Sequence, residues 1–211
     1  MGKVSDEYHI HYEENKLWKK TKWLGVPIWK NPCDLLILQE LIYEIKPDYI
    51  IETGTSFGGS AYFFATVLDM MGHGHVLTID TDDSKFRLKN LRQNARNRVT
   101  HLIGNSTDKW IVDQVRKECA GLKNIVILDS WHSEEHVYKE LEVYHKFVPV
   151  DSYLIVEDTH IGNPIWWRHE NRGPGAAVER FLIEHSNFER DYECEKLIFT
   201  FNPGGFLKRT E

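Results

Sequence analysis

Short runs of apolar residues alternate with longer segments in which apolar residues recur every three or four positions. The runs predict strands that are buried on both faces, and the longer segments predict amphipathic helices. The predicted strands are 49–51, 76–79, 99–103, 125–128 and 153–156. The predicted helices are 34–46, 59–71, 84–96, 108–119, 133–147 and 175–185, the first of them with Asp34 as its N-cap. This alternation is typical of a parallel sheet with helices on both faces.

Two further apolar runs, about 188–193 and 196–201, flank the short link YECEK and predict an antiparallel hairpin at the end of the chain. The whole pattern predicts an α/β protein with the Rossmann-like class I methyltransferase fold, a mostly parallel seven-stranded sheet with a C-terminal antiparallel hairpin. Residues 31–211 would form this domain. Residues 1–30 do not follow the alternation, and we expect them to act as a lid or as an oligomer contact.

The composition argues against several classes of protein. The chain has 211 residues and a formal net charge of −6, with basic residues scattered along it, which disfavours a nucleic-acid partner. No apolar run approaches the roughly 20 residues of a membrane span, and the N-terminal residues are too polar for a signal sequence. Three cysteines without a Cys-x-x-Cys pair favour reduced thiols and therefore a cytoplasmic protein. Aromatic-rich edges lead us to expect a homo-oligomer.

Four of the first five predicted strands end on an acidic residue: Glu52, Asp80, Asp129 and Glu157. The carboxyl ends of parallel strands meet at one edge of a sheet, where ligands of open α/β sheets bind. Four acids at that edge predict a site for a ligand that carries positive charge or a polyol.

The first strand-to-helix turn reads ETGTSFGGS. Its Gly-x-x-x-Gly-Gly spacing differs from the Gly-x-Gly-x-x-Gly pattern of dinucleotide sites, which counts against a nicotinamide cofactor. An acid at Glu52 suits the sulfonium and amino group of S-adenosylmethionine, with Gly54 allowing close approach and Ser60 near the ligand's carboxylate. Asp80 stands where a ribose diol is usually bound, and the loop at Ser106 stands where an adenine edge would be read.

The fourth and fifth strands should be neighbours, which brings Asp129, Glu157 and Asp158 together. Three carboxylates form an all-oxygen cluster suited to Mg²⁺ or another divalent cation. His132 follows Asp129 by three residues, and its imidazole is a candidate general base. The same histidine could instead be a metal ligand, a substrate contact or a surface residue. His136 and His160 are further candidates for the surroundings of this site.

These residues lie in stretches that resemble the cephalosporin hydroxylase/rhamnosyl O-methyltransferase family of S-adenosylmethionine- and Mg²⁺-dependent methyltransferases. The resemblance covers about residues 23–209 and is carried by WLGVPIWKNPCDLLILQELI, KPDYIIETGTSFGGSA, VLTIDTD, ILDSWHSEEHVYKEL, SYLIVEDT, GPGAAVERFL and FTFNPGGFLKR. It implies the metal ligands Asp129, Glu157 and Asp158 and the base His132. It also implies methyl-donor contacts around Glu52, Gly54, Ser60 and Asp80. The full set of candidate cofactor-binding residues is Glu52, Gly54, Thr55, Ser60, Asp80, Ser106 and Asp129.

The function we predict is methyl transfer from S-adenosylmethionine, with a divalent cation, to a hydroxyl of a small acceptor. A vicinal diol of a sugar, a glycoside or a catechol-like compound would suit such a cation. The loop 159–174 is long enough for a lid, in which Trp166 and Trp167 could stack on the acceptor and Arg168 and Arg172 could meet an anionic group. Two alternatives remain: a non-catalytic S-adenosylmethionine-binding partner of another enzyme, and a nicotinamide-dependent oxidoreductase. A metal-dependent hydroxylase is disfavoured because the acid cluster contains no two-histidine site.

Overall fold

The computed structural model describes residues 3–86, 92–162 and 172–211. The strands within these ranges are β1 (Lys22–Trp23), β2 (Val26–Pro27), β3 (Tyr49–Thr53), β4 (His75–Asp80), β5 (Val99–Ile103), β6 (Asn124–Leu128), β7 (Tyr153–Val156), β8 (Phe188–Arg190) and β9 (Phe206–Arg209). The helices are α1 (Lys3–Glu14), α2 (Pro32–Ile45), α3 (Gly59–Met71), α4 (Gln93–Arg96), α5 (Lys109–Cys119), α6 (Glu134–Tyr144) and α7 (Pro174–Glu184). None of the described helices is long and apolar enough to cross a membrane.

A seven-stranded sheet with the order β5-β4-β3-β6-β7-β9-β8 forms the centre of the molecule. The five strands from β3 to β7 are parallel, and β9 pairs antiparallel with both β7 and β8. Strand order reverses between β3 and β6, and open α/β sheets bind their ligands at such a point. The predicted fold class is confirmed.

Both faces of the sheet are covered, as the uninterrupted apolar strands predicted. Alternate residues of β3 belong to different cores: Ile50 packs with α2 and α3, whereas Ile51 packs with α5, α6 and α7. Both isoleucines are fully buried. Successive side chains of a strand point to opposite faces, so each strand contributes residues to both cores.

The boundaries of the predicted C-terminal hairpin are wrong. Its second strand is β9, at Phe206–Arg209, and not 196–201. The apolar residues of 196–201 serve another purpose, because Phe199 and Phe201 pack against the rings of Tyr8 and Tyr12 in α1. In the sequence alone, an apolar run that packs against a helix looks the same as an apolar run that forms a strand.

The predicted start of α2 is also wrong. Asn31 is the N-cap, and its side chain accepts the Cys33 N–H at 2.8 Å. Asp34 lies inside the helix and is buried, where it accepts the N–H of Phe201 at 2.9 Å. Of the predicted helix 84–96, only Gln93–Arg96 is helical among the described residues, and 87–91 lie outside them.

Candidate active site

A cavity of about 1430 Å³ opens at the carboxyl ends of the parallel strands. Its walls come from the turn after β3, from the ends of β4, β5 and β6, from the loop after β7, and from the N-terminal segment. Pockets for one small molecule usually measure about 300–1,000 Å³. This cavity therefore has room for a methyl donor and an acceptor together.

The turn after β3 packs tightly against the end of β6. Gly54 has a φ of +92°, and a Cβ there would overlap the backbone carbonyl of Asp129. Only glycine fits such a position, since both the backbone conformation and the missing side chain are required. The turn thus brings its backbone into the cavity wall beside Asp129.

Glu52 lies beneath the cavity and not in its wall, which corrects the position expected from the sequence. The strand continues to Thr53, and alternation turns Glu52 toward the α3 side of the sheet, where it is fully buried. Thr78 Oγ1 donates a hydrogen bond to its carboxylate at 2.6 Å. Burial raises the pKa of Glu52 to about 7, although Lys30 and hydrogen bonds from Ser60 and Thr78 oppose that rise.

Asp80 lies at the end of β4 and lines the cavity, as predicted for a residue that binds a diol. Its two carboxylate oxygens accept backbone N–H groups, from Ser56 at 2.8 Å and from Asp82 at 3.1 Å. These bonds fix the orientation of the carboxylate without consuming all of its acceptor sites.

Ser106 also lines the cavity, and a residue that the sequence reading missed holds it there. Glu140 of α6 is fully buried, and its Oε1 accepts hydrogen bonds from Ser106 at 2.5 Å and from Ser130 at 2.8 Å. Since both hydroxyl hydrogens point to Glu140, the Ser106 oxygen can accept from the cavity, whereas the Ser130 oxygen also lies 3.1 Å from His136 Nε2. In the sequence, Glu140 looks like an ordinary polar residue of an amphipathic helix.

The carboxylates of Asp129 and Asp158 meet the imidazole of His132 in the cavity wall. One donor atom from each residue lies within 4.8 Å of the others, and His132 Nε2 is 3.3 Å from Asp158 Oδ2. Asp158 has a φ of +56°, a conformation that its N–H stabilises by donating to Asn202 at 2.8 Å. The two carboxylates supply oxygen ligands of the kind that Mg²⁺ prefers, and the imidazole lies beside them.

Lys30 is the second residue that the sequence reading missed. Its side chain is 3% exposed, and its ammonium lies 2.8 Å from Asp129 Oδ2 and 2.9 Å from Glu157 Oε1. Burial lowers the pKa of Lys30, but the charges of Asp129 and Glu157 outweigh burial and raise it. Part of the repulsion among the clustered acids is therefore offset by a lysine of the chain itself.

The sequence from residue 15 to residue 210 matches the family described as Rhamnosyl O-methyltransferase/CmcI. The chain belongs to this family. The rhamnosyl O-methyltransferase of Mycobacterium tuberculosis (strain ATCC 25618 / H37Rv) is 36% identical to it, over 98% of this chain and 85% of the relative. The protein of the same name from Mycobacterium leprae (strain TN) is 35% identical, over 98% of this chain and 90% of the relative.

Solved structures of the rhamnosyl O-methyltransferase/CmcI family and of other O-methyltransferases share the fold. The structure named "cmcI-D160 Mg-SAM" matches with a TM-score of 0.71 at 20% identity, over 92% of this chain and 78% of the other. The O-methyltransferase TomG from Streptomyces achromogenes, solved with SAM, matches with a TM-score of 0.61 at 16% identity, over 100% and 92%. The predicted family and enzyme class, O-methyltransferase, are thus confirmed.

The candidate residues fall into two groups in this family member. Most of them line the cavity, namely Gly54, Thr55, Ser60, Asp80, Ser106, Asp129, His132 and Asp158. Glu52 and Glu157 do not line it, because both are buried beneath it. Glu52 accepts a hydrogen bond from Thr78, and Glu157 forms an ion pair with Lys30. His136 and His160 line the cavity as well.

Aromatic rings of the N-terminal segment close one side of the cavity. The ring of Trp29 lies 5.3 Å from that of Trp18 and 4.9 Å from that of Phe57, and all three residues line the cavity. The exposed ring of Trp131 stands at the rim. Of the predicted lid, Trp166, Trp167 and Arg168 lie outside the described residues, whereas Arg172 lines the cavity and pairs with Glu134 at 3.2 Å.

Proposed function

We propose that the protein transfers the methyl group of S-adenosylmethionine to a sugar hydroxyl, with a divalent cation held at the end of β6 and β7. The observation that carries the proposal is the group Asp129, His132 and Asp158, which converges in the wall of a cavity large enough for two ligands. A relative that is 36% identical over 98% of this chain is named for O-methylation of a rhamnosyl group.

The donor would lie over the turn after β3. Gly54 brings the backbone close to it, the N-terminus of α3 with Ser60 would hold its carboxylate, and Asp80 would bind its ribose diol. Ser106 would accept a hydrogen bond from the exocyclic amine of adenine, since its own hydrogen points to Glu140. Glu52 would act from below the site, through its contacts to Ser60 and Thr78.

The cation would be held by Asp129 and Asp158. Glu157 could become a third ligand only if the ammonium of Lys30, now 2.9 Å from Glu157 Oε1, moved away. A bound divalent cation lowers the pKa of a coordinated hydroxyl, which makes the acceptor a better nucleophile near neutral pH. His132 Nε2 would accept the proton, and Asp158 at 3.3 Å would stabilise the resulting imidazolium.

The acceptor would lie between this group and the aromatic side of the cavity. Trp18, Trp29 and Phe57 present apolar surface on which the face of a sugar ring can pack. Such packing would hold the ring so that one hydroxyl faces His132 and the donor's methyl group, and proximity would supply much of the rate acceleration.

Calorimetric titration of S-adenosylmethionine and of Mg²⁺ tests this proposal, together with methyl transfer to a rhamnoside and to a catechol. We expect the donor to bind wild type, Asp129→Asn and His132→Ala alike, and Mg²⁺ to bind Asp129→Asn much more weakly. His132→Ala should reduce kcat about 10²–10⁴-fold with the donor still bound. Asp151→Asn, an exposed acid before β7, is the control.

Three results would contradict the proposal in whole or in part. A protein that binds NADH but no S-adenosylmethionine would favour an oxidoreductase, and one that binds the donor but transfers no methyl group to any diol would favour a non-catalytic partner. A methyl-transfer rate far higher with the catechol than with the rhamnoside would support methyl transfer but contradict a sugar as the acceptor.

We also propose that the protein forms a homo-oligomer. Large apolar side chains are exposed on α2, at Leu36 and Tyr43, and on the segment after β8, at Tyr192 and Ile198. An ion pair between Glu40 and Lys196 places the two elements side by side. Sedimentation equilibrium of the wild type and of a Tyr43→Ser/Ile198→Ser variant measures the assembly, and a monomeric wild type would refute it.

A further inference from the structure

Two histidines and a glutamate meet between α1 and the loop after β7. Each of His9, Glu13 and His160 offers a donor atom, and these atoms lie within 4.8 Å of one another. His9 and His160 are 1% and 2% exposed, and their rings lie 5.0 Å apart. His160 Nε2 is 3.5 Å from Glu13 Oε1. The group is separate from Asp129 and His132.

The orientation of His160 is fixed by a backbone carbonyl. Its Nδ1 lies 2.9 Å from the oxygen of Phe201, which can only accept, so Nδ1 carries a hydrogen and donates it. The nitrogen that remains, Nε2, faces Glu13. Histidines that bind metals are usually oriented in this way, with the second ring nitrogen donating to a carbonyl or a carboxylate.

The other two donors stand on one face of α1. His9 and Glu13 are four residues apart, so they project from successive turns of the helix to the same side. The helix thus presents an imidazole and a carboxylate to the oriented nitrogen of His160.

We propose that His9, Glu13 and His160 form a transition-metal site, with Zn²⁺ as the preferred ion, distinct from the site for the divalent cation of methyl transfer. Two imidazoles and one carboxylate are a known donor set for zinc, whereas Mg²⁺ prefers oxygen ligands. Ligands about 2.0–2.1 Å from a tetrahedral zinc ion lie about 3.4 Å from each other. The 3.5 Å between His160 Nε2 and Glu13 Oε1 is close to that spacing.

The site has an open side. Glu13 and His160 both line the large cavity, so a fourth ligand would come from there, as water or as an oxygen of the acceptor. The ion would also tie α1 to the loop that carries Asp158, whose Oδ1 is 3.7 Å from His160 Nδ1. Zinc would then hold the N-terminal helix in place beside the methyl-transfer site.

Metal binding to the untagged, full-length protein tests the proposal. After chelator treatment and dialysis, Zn²⁺ is titrated calorimetrically, and Co²⁺ is added separately to record its visible absorption. Variants His9→Gln and Glu13→Gln remove ligands, and His11→Gln, exposed on the same helix, is the matched control. His185→Gln probes a second group, Glu142, His145 and His185, and Asp129→Asn probes the cavity carboxylates.

We expect one tight zinc ion in the wild type and in the variants at His11, His185 and Asp129. His9→Gln and Glu13→Gln should weaken its binding at least about 100-fold. Zinc should also raise the Tm of the wild type, because an ion that binds only the folded state stabilises it.

Several outcomes would overturn the site. Unchanged zinc affinity in both His9→Gln and Glu13→Gln would do so, as would loss of zinc in Asp129→Asn or His185→Gln instead. Should the two ligand variants fail to fold, the wild-type cobalt spectrum decides. A weak octahedral absorption then excludes the proposed site, and an intense tetrahedral one supports it.

Discussion

The two sides of the cavity stabilise their acidic residues in different ways. On the donor side, formed by the ends of β3, β4 and β5, Glu52 and Asp80 receive hydrogen bonds from Thr78 and from backbone N–H groups. On the metal side, formed by the ends of β6 and β7, Asp129 and Glu157 share the ammonium of Lys30.

This difference shows how much each side depends on the rest of the chain. The donor side draws its hydrogen-bond donors from the strands and turns that also carry its acids. On the metal side, the positive charge comes from the ammonium of Lys30. This residue belongs to the N-terminal segment, outside the domain that the sequence predicted. A change in that segment should therefore affect the metal side first.

Lys30→Met should give the largest effect on stability. It leaves the buried Glu157 and the half-buried Asp129 without the ammonium that they share, and breaking a buried ion pair in this way costs about 3–5 kcal/mol. Urea denaturation measures the loss, and Mg²⁺ should restore part of it by replacing the missing charge. Lys20→Met, exposed in the same segment, is the control. A loss below about 1 kcal/mol would mean that the pair contributes no more than a surface ion pair.

Gly54→Ala tests how closely the two sides approach each other. Its Cβ would overlap the carbonyl of Asp129, and φ is positive, so we expect a loss of about 2–5 kcal/mol together with weakened donor binding. Gly72→Ala has a similar φ of +73° but open space, and should lose only about 1–2 kcal/mol. Equal losses in the two variants would show that the contact with Asp129 is unimportant.

Glu140→Gln removes the shared acceptor of Ser106 and Ser130. The new amide must bury N–H donors where, among the described residues, Glu140 Oε2 now accepts no hydrogen bond, and this costs about 1–3 kcal/mol. The Kd for S-adenosylmethionine should rise as the two serines lose their orientation. Glu135→Gln, exposed on the same helix, should change neither quantity. An unaltered Kd would separate Glu140 from donor binding.

Glu52→Gln should give the smallest effect, visible mainly as a change in pH dependence. The pKa of Glu52 rises from 4.5 to about 7 on folding because the group is buried. The folded state therefore keeps a proton that the unfolded state has lost. The stability from this group is full below about pH 4.5 and is lost as the pH rises through about 7.

Glutamine does not titrate, so the variant should gain stability relative to the wild type between about pH 5 and about pH 8. Urea denaturation at a series of pH values measures the difference, with Glu189→Gln, exposed on β8, as the control. Parallel curves for wild type and Glu52→Gln would show that Glu52 is ionised throughout.

The sequence predicted the elements whose pattern is local. The five parallel strands and α3 follow from apolar runs and helical spacing, and the rule that ligands bind at the carboxyl ends of strands located Asp80, Asp129 and Asp158. Lys30 could not be found this way, because a lysine before a helix cap resembles any surface lysine. Glu140 was hidden among the other acids of α6. Both roles arise from contacts between distant parts of the chain.

The packing of α1 has a consequence for how the protein is made. Tyr8 lies 4.8 Å from Phe199, so α1 packs on residues that are synthesised long after it. Contacts at such long sequence separation form late, after the local elements. The sheet and the donor side can assemble while the chain is still growing. The wall of the cavity that α1 provides must wait until Phe199 and Phe201 have been synthesised.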